Sequence, residues 1–344
     1  MRALSWTGIF VFLCFCSWSS ATAPLTLDVD FSSFLARSDP HWRWGSTVAN
    51  SSRPSEWVNS LFGGNGDHGF MLWAPEDSGL RLDISLQTLW DDRTPDLGSP
   101  YYTGNFAYDQ PRLPSGSIEI SWKSGTPITI AEGSVSLHSA VASLNVTTAA
   151  GGFEIQVWAS AAWDKMGGDV VVLEVTSSGG EEARAVWLPA VAASTWAKLN
   201  PLKTYVPNPA SSTTTTTPMS GVYLNVTTQP HLPQKGTGHS SAVLSFADGP
   251  KQYHIVCLSN TKPSPATADD IVKAQVIAAY GSLTSIRQDH EAWWANWWPA
   301  GGFVTLEHTP LESFWWIQLY KFASGTALTL SHSHSHPLQS FSGS

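Results

Sequence analysis

The sequence is poor in charged side chains and has no excess of positive charge. Only 13% of its 344 residues are charged, and 18 Lys and Arg against 27 Asp and Glu give a net charge of −9. A protein that binds nucleic acid through a basic surface needs clustered cations to contact phosphates. The composition therefore excludes a nucleic-acid binder of that kind. A hydrophobic content of 42% also excludes a disordered chain and predicts a large core.

Cysteine is scarce, and no long hydrophobic run follows the N-terminus. Residues 1–23 begin with a basic residue, continue through a short apolar stretch and end in small residues, which is typical of a secretory signal peptide cleaved after Ala21 or Ala23. No later segment approaches the ~20 apolar residues of a membrane span. We therefore expect a secreted, extracellular protein without a stable membrane anchor. Of the 3 cysteines only Cys257 would remain, which excludes an intrachain disulfide and predicts an inert thiol in a buried strand.

The motifs that usually identify hydrolases and nucleotide-binding enzymes are missing, because the sequence contains no G-x-S-x-G, no H-E-x-x-H and no P-loop. Gly64, Gly66 and Gly69 match the dinucleotide pattern G-x-G-x-x-G, but the segments after them are typical of strands and not of the βαβ unit that such a site requires. We interpret these glycines as a turn with a positive φ angle. No cofactor is expected.

Short segments of alternating apolar and polar residues dominate positions 70–260. Residues 80–84, 118–122 and 153–157 alternate, whereas residues 170–175 form a continuous apolar run of strand length. Glycine, proline and serine separate these segments. The pattern predicts a mainly β protein built as a large antiparallel β-sandwich. The threonine-rich residues 211–218 are predicted to be a mobile surface loop within the sandwich.

Helical patterns replace the strand patterns after residue 265. Residues 271–280 and 283–298 are predicted helices, and the pairs Trp293-Trp294 and Trp297-Trp298 form a stripe expected to pack against the sandwich. Residues 310–323 predict a third, amphipathic helix. Residues 325–344 are polar and are predicted to be disordered. The tail contains three histidines that would bind divalent ions only weakly, so no metal site is expected: His332, His334 and His336.

Tryptophans, carboxylates and sequons supply the candidate functional residues. Exposed aromatic rings stack on sugars, although most of the 18 tryptophans are expected in the core. Trp57, Trp73 and Trp90 flank the glycine turn and are candidates for lining a cleft. Glycoside hydrolysis needs two carboxylates at a fixed separation, which sequence cannot show. The scattered carboxylates, each by default a turn or surface residue, are Asp67, Asp83, Asp91, Asp92, Asp109, Glu119 and Asp164. The predicted N-glycosylation sites are Asn50, Asn145 and Asn225.

Several motifs, taken in chain order, carry a resemblance to a known family. They are Gly64, Asn65, Gly66, Asp67 and Gly69; Leu82 and Ile84; Gln87, Thr88, Leu89, Trp90 and Asp91; His290, Trp293 and Trp294; Phe314, Trp315, Gln318, Leu319, Tyr320 and Lys321. Their order resembles the N-terminal region of glycoside hydrolase family 95, the α-L-fucosidase and α-L-galactosidase family. It is more similar still to a related group of secreted proteins that begin with domain of unknown function 5703. The resemblance covers about residues 40–324.

The resemblance implies a β-supersandwich followed by linker helices and the first helix of an (α/α)6 catalytic barrel. The implied division is a signal peptide (1–23), a sandwich domain (24–265), a helical linker (266–299), the start of a truncated barrel (300–324) and a tail (325–344). The catalytic acid and base would belong to the missing barrel, so no catalytic residue is assigned. The equivalent of the glycine loop faces the barrel in relatives, which makes Asn65, Asp67 and Trp90 the candidate substrate-binding residues.

These observations predict the non-catalytic, inactive sandwich fragment of a secreted, exo-acting glycoside hydrolase, with a carbohydrate as its partner. The oligomeric state is not indicated. Two alternatives stay open. In the first alternative, the chain is a free-standing carbohydrate-binding module that uses exposed tryptophans. In the second, it is a non-functional product whose last helix exposes Leu311, Trp315 and Leu319 with nothing to cover them.

Overall fold

A computed structural model describes residues 29–49, 52–89, 114–162, 165–190, 210–230, 238–260, 265–300 and 303–325. The described residues from Phe31 onward belong to one compact unit. The helices are α1 (Phe31–Ala36), α2 (Pro265–Ala300) and α3 (Thr309–Gly325), and a 3₁₀ turn covers Trp57–Asn59. The strands are β1 (His41–Trp44), β2 (Leu61–Gly64), β3 (His68–Glu76), β4 (Gly79–Leu86), β5 (Gly116–Trp122), β6 (Ile130–Ser136), β7 (Val141–Thr147), β8 (Gly152–Ala159), β9 (Val171–Ser178), β10 (Ala183–Pro189), β11 (Ser212–Met219), β12 (Val222–Gln229), β13 (His239–Asp248) and β14 (Lys251–Ser259).

Within the described residues the strands form two antiparallel sheets, which confirms the predicted sandwich. In that part of the chain the larger sheet has nine strands in the order β1-β6-β7-β8-β9-β14-β13-β12-β11, and the smaller has five in the order β10-β5-β4-β3-β2. Side chains from both sheets contribute to one hydrophobic core, including Leu82 and Ile118 of the smaller sheet and Ile155 and Leu173 of the larger. Strand β4 illustrates how one face of a sheet contributes to this core, because its even-numbered residues are buried and its odd-numbered residues are not.

A second hydrophobic cluster covers the outer face of the nine-stranded sheet. Helix α2 packs there on β12, β13 and β14, and it contributes Val272 and Val276 to the cluster. Strands β13 and β14 are therefore covered on both faces, which explains their long runs of buried residues. Cys257 is buried in this cluster as a free thiol, as the sequence predicts.

Helix α2 contains the break that the sequence places near Gly281. Ser282 has φ −137° and ψ 22°, outside the helical region, and its hydroxyl donates a 2.7 Å hydrogen bond to the carbonyl of Ala278. The tryptophan stripe is divided between core and surface. Trp294 and Trp298 are buried, whereas Trp293 and Trp297 are half-buried and stack with 5.9 Å between ring centroids. None of the described helices is long and apolar enough to span a membrane.

One element differs from the sequence prediction. Residues 211–218, expected to be a mobile loop, lie mostly in β11, which pairs with β12 at the edge of the larger sheet. Threonine is β-branched and suits an extended strand, and a polar strand is tolerated at an edge because its outer side contacts water. Pro218 falls within the register shift between Thr216 and Met219, where no ladder hydrogen bond is required.

Candidate functional site

The glycine loop between β2 and β3 is organised by the side chain of Asn65. Its Oδ1 accepts hydrogen bonds from the backbone amides of Asp67 (3.0 Å) and His68 (2.7 Å), and its Nδ2 donates to the carbonyl of Ser160 at 2.8 Å. Gly66 has φ +93°, which confirms the predicted turn. Asn65 is buried, so its polar atoms serve the protein itself.

His68 connects the glycine loop to the larger sheet. It is fully buried, its Nδ1 lies 2.8 Å from Oδ1 of Asp169, and its Nε2 accepts a 3.0 Å hydrogen bond from the amide of Leu258 in β14. Burial lowers the pKa of His68, whereas Asp169 raises it, and the net direction is upward. The Leu258 bond opposes a charged ring, because an imidazolium has no lone pair to accept it. The hydrogen bonds therefore assign a neutral ring that donates from Nδ1 to Asp169.

Two carboxylates flank His68, and their pKa values are shifted in opposite directions. Burial raises the pKa of Asp169, but His68 and the Asn65 amide outweigh burial and hold that pKa below its ordinary value. Burial raises the pKa of Asp67, with His68 opposing and Asp169 adding to the rise. Asp67, His68 and Asp169 offer ligand atoms within 4.8 Å of one another. A cation would have to displace the His68 proton, so the group functions as a hydrogen-bond network in this arrangement.

The C-terminal end of α3 covers the glycine loop. The amide of Gly66 donates a 2.9 Å hydrogen bond to the carbonyl of Ser324, and a side chain at Gly64 would come within 2.6 Å of the same oxygen. The Tyr320 hydroxyl donates to the Phe62 carbonyl at 3.2 Å. Of the predicted binding residues, Asn65 therefore lies in a closed interface and Asp67 is partly exposed, with a side-chain exposure of 38%. Trp90 lies outside the described residues.

His290 fixes α2 to the end of β8 and to the turn before β7. Its Nδ1 accepts a 3.2 Å hydrogen bond from the amide of Ala161, and its Nε2 donates to the carbonyl of Ser139 at 2.8 Å. Burial, with a contribution from Arg287, lowers the pKa of His290 to about 3. The imidazole is therefore neutral and carries its proton on Nε2. Ser160 and Ala161, adjacent in the chain, are thus bound by Asn65 and His290 respectively.

The outer face of the five-stranded sheet carries an open cleft of about 460 Å³. Trp57, one of the predicted cleft residues, lines it with 60% of its surface exposed. Asp83 lines it as well, and its two oxygens accept 2.7 Å hydrogen bonds from Trp73 Nε1 and Arg81 Nε. Arg81 also lines a neighbouring cleft of about 570 Å³. Trp73, the second predicted cleft residue, thus orients a carboxylate of the cleft.

Other sequence candidates are placed without a shared site. Asn145 lies exposed in β7, and Asn225 is half-buried in β12, where its Oδ1 accepts a 2.7 Å hydrogen bond from Thr215. Glycosylation at these residues stays a prediction. Glu119 lines the 570 Å³ cleft. The candidates outside the described residues are Asn50, Asp91, Asp92, Asp109, Asp164, His332, His334 and His336.

Sequence reasoning missed the roles of His68 and Asp169, which lie 101 positions apart and meet only in the folded sandwich. The one signal for His68 is its place between Gly66 and Gly69, as the first residue of an alternating strand.

No family model and no curated protein matches the chain. Among solved structures, one assigned as a kojibiose phosphorylase from the human microbiome is similar, with 8% sequence identity and a TM-score of 0.45. The similarity covers 74% of this chain and 34% of that chain, so this chain spans about a third of that protein's length.

Proposed function

We propose that the chain is the non-catalytic β-sandwich region of a secreted glycoside hydrolase that removes terminal sugars, related to the α-L-fucosidase-like family and inactive alone. The observation that carries the proposal is the convergence of the motifs on which the family resemblance rests. Three of these motifs, Gly64–Gly69, His290–Trp294 and Phe314–Lys321, lie up to 257 positions apart in sequence, yet the segments that carry them pack together.

The convergence is built from direct contacts. The glycine loop contacts the last turn of α3 through Gly66 and Ser324. The ring of Tyr320 in α3 lies 5.3 Å from that of Trp294 in α2 and 5.7 Å from that of Phe62 beside the loop. One packed interface therefore joins three of the resembling segments. Such an interface fits a sandwich whose role is to hold the first helix of a following helical domain in place.

The opposite face of α3 supports the same proposal. Leu311, Phe314 and Trp315 are 53%, 58% and 45% exposed, while Trp316 and Tyr320 are fully buried. Leu319, expected to be exposed, is partly buried against the core. A helix with apolar side chains on both faces is suited to lie between two layers. Further helices of the proposed enzyme would cover the exposed face.

The test combines transcript sequencing with activity assays. Sequencing of the transcript beyond the codon for Ser324 is expected to give an open frame that encodes paired helices with acidic residues. The reconstructed protein should hydrolyse members of an aryl glycoside panel, and the present chain should not. Enzyme-like hydrolysis by the present chain, or a full transcript without such a frame, would overturn the proposal.

A second candidate is a free-standing carbohydrate-binding module. The exposed indole of Trp57 beside the polar cleft favours it, because exposed aromatic rings stack on sugar rings. The two candidates differ in one measurable respect. A binding module would have no downstream helical domain in any transcript, whereas the hydrolase would have one.

A further inference from the structure

The outer face of the five-stranded sheet combines an aromatic wall with oriented polar groups. Trp57 lies in the 3₁₀ turn before β2 and reaches over the sheet face, where Met71 of β3 and Leu188 of β10 add apolar surface to the cleft. The volume of about 460 Å³ lies within the ~300–1,000 Å³ that is typical of small-molecule sites. The cleft therefore has the size and the mixed surface of a ligand site.

The polar groups of the cleft are held in fixed orientations. Asp83 receives Trp73 Nε1 on one oxygen and Arg81 Nε on the other, both at 2.7 Å. Each carboxylate oxygen keeps a further lone pair that can accept from a ligand hydroxyl, and Arg81 keeps N–H donors. This arrangement offers an acceptor and a donor side by side, as a pair of neighbouring sugar hydroxyls requires.

Ser115 supplies an independent indication of a ligand. It lines the same cleft, it is only 2% exposed, and its hydroxyl has no hydrogen-bond partner among the described residues. A buried hydroxyl without a partner is unfavourable. A ligand hydroxyl in the cleft would provide the missing partner.

We propose that this cleft binds a neutral saccharide, with one ring stacked on Trp57 and its hydroxyls on Asp83, Arg81 and Ser115. Charge favours a neutral ligand. The adjoining 570 Å³ cleft, which shares Arg81, is also lined by Glu76, Glu119 and Arg184, so this face carries both cations and carboxylates. A phosphate or a polyanion would meet carboxylates, whereas a polyhydroxyl compound uses both kinds of group. The two clefts together give room for more than one sugar unit.

Isothermal titration calorimetry tests the proposal with four probes: cellobiose, maltose, lactose and fucosyllactose. At least one probe is expected to bind the wild-type chain with a millimolar to micromolar Kd. Trp57→Ala and Asp83→Asn should each weaken that probe about tenfold or more, because a central aromatic and a directed acceptor are lost. Ser115→Ala should weaken it about threefold or more without lowering the unfolding temperature, since no described residue uses the hydroxyl.

Trp315→Ala is the matched control, because Trp315 is an exposed tryptophan on α3 that lines neither cleft. It should bind the probe as the wild type does. Circular dichroism confirms that each variant is folded, and Trp57→Ala is expected to fold because the side chain is mostly exposed. The proposal is overturned if no probe binds the wild type, or if a bound probe is unaffected by Trp57→Ala and Asp83→Asn. A negative binding result would refute only the saccharide site. The proposed hydrolase function would still stand, since it is tested separately by the downstream sequence and by hydrolysis.

Discussion

Replacement of His290 by glutamine is expected to make the protein more resistant to acid. The imidazole accepts from the Ala161 amide and donates to the Ser139 carbonyl, and a glutamine side chain also offers one acceptor and one donor. His290→Gln can therefore keep both hydrogen bonds while it removes a group that titrates. Trp158, whose ring centroid lies 5.2 Å from that of His290, would keep its packing against the amide.

The size of the effect follows from the pKa of His290 in the two states. Burial lowers the pKa to about 3 in the folded protein, against an ordinary value of 6.5 in the unfolded chain. The unfolded state therefore binds the proton first as the pH falls below 6.5, and stability is lost progressively down to about pH 3. Between pH 7 and pH 5 this single group removes about 2 kcal/mol from the free energy of unfolding. The glutamine variant should not lose that amount.

Urea unfolding followed by tryptophan fluorescence at pH 7, 6 and 5 measures the effect. Burial also lowers the pKa values of His239 and His254 to about 4, so the variant should still lose stability in acid, but with a smaller slope. The informative quantity is the difference between wild type and variant at each pH. Equal slopes in the two proteins would show that His290 is protonated or exposed in the folded state, and the assignment of a buried neutral ring would be wrong.

Three further predictions concern stability at pH 7 and are checked by the same urea titrations. Trp294→Ala should lower the free energy of unfolding by about 3–5 kcal/mol, because the Trp294 side chain is 1% exposed. Trp293→Ala, at the half-buried neighbouring position, should lower it by less than about 2 kcal/mol; equal losses would show that Trp294 does not face the sandwich. Glu312→Gln should lower the free energy of unfolding by about 1–3 kcal/mol, since the buried carboxylate accepts hydrogen bonds from Arg37, Thr305 and the Leu306 amide. An unchanged free energy would show that these hydrogen bonds do not stabilise the start of α3. Gly66→Ala should cost about 1–2 kcal/mol because Gly66 has φ +93°. Gly281→Ala is the control: a Cβ there meets nothing within 4 Å, and because the residue lies beside the break at Ser282, stability should change by less than about 1 kcal/mol; a Gly66→Ala loss no larger than that of the control would contradict the turn.

The sandwich could be predicted from sequence because its strands are short and regularly patterned. In β4 the alternation of Leu80, Leu82 and Ile84 with polar residues specifies which face is buried, whatever the partner strand is. The order of the strands could not be predicted, because β1 pairs with β6 and β9 with β14 across long separations in sequence. The error at residues 211–218 has a similar origin. Low complexity and flanking prolines suggest a loop, but pairing with β12 decides the outcome.

The candidate site was only partly predictable. Asn65 and the positive φ of Gly66 follow from local turn chemistry, since both depend on neighbours within three residues. The bond between His68 and Asp169 depends on the packing of one sheet on the other, and no spacing rule reports it. Local rules therefore identified the loop, whereas the residue that fixes it to the opposite sheet required the fold.

The two polar regions of the sandwich differ in what remains available to a ligand. Around Asn65 the hydrogen-bonding groups are buried and paired with protein atoms, and Ser324 of α3 closes the loop from above. On the outer face of the smaller sheet, Asp83 is oriented by two donors but still faces an open cleft beside an exposed indole. Because binding requires groups that are both oriented and unshielded, the outer face is the better ligand site. The glycine loop then connects the sandwich to α3. A substitution at Asn65 should lower the stability of the protein and leave any affinity for sugar unchanged.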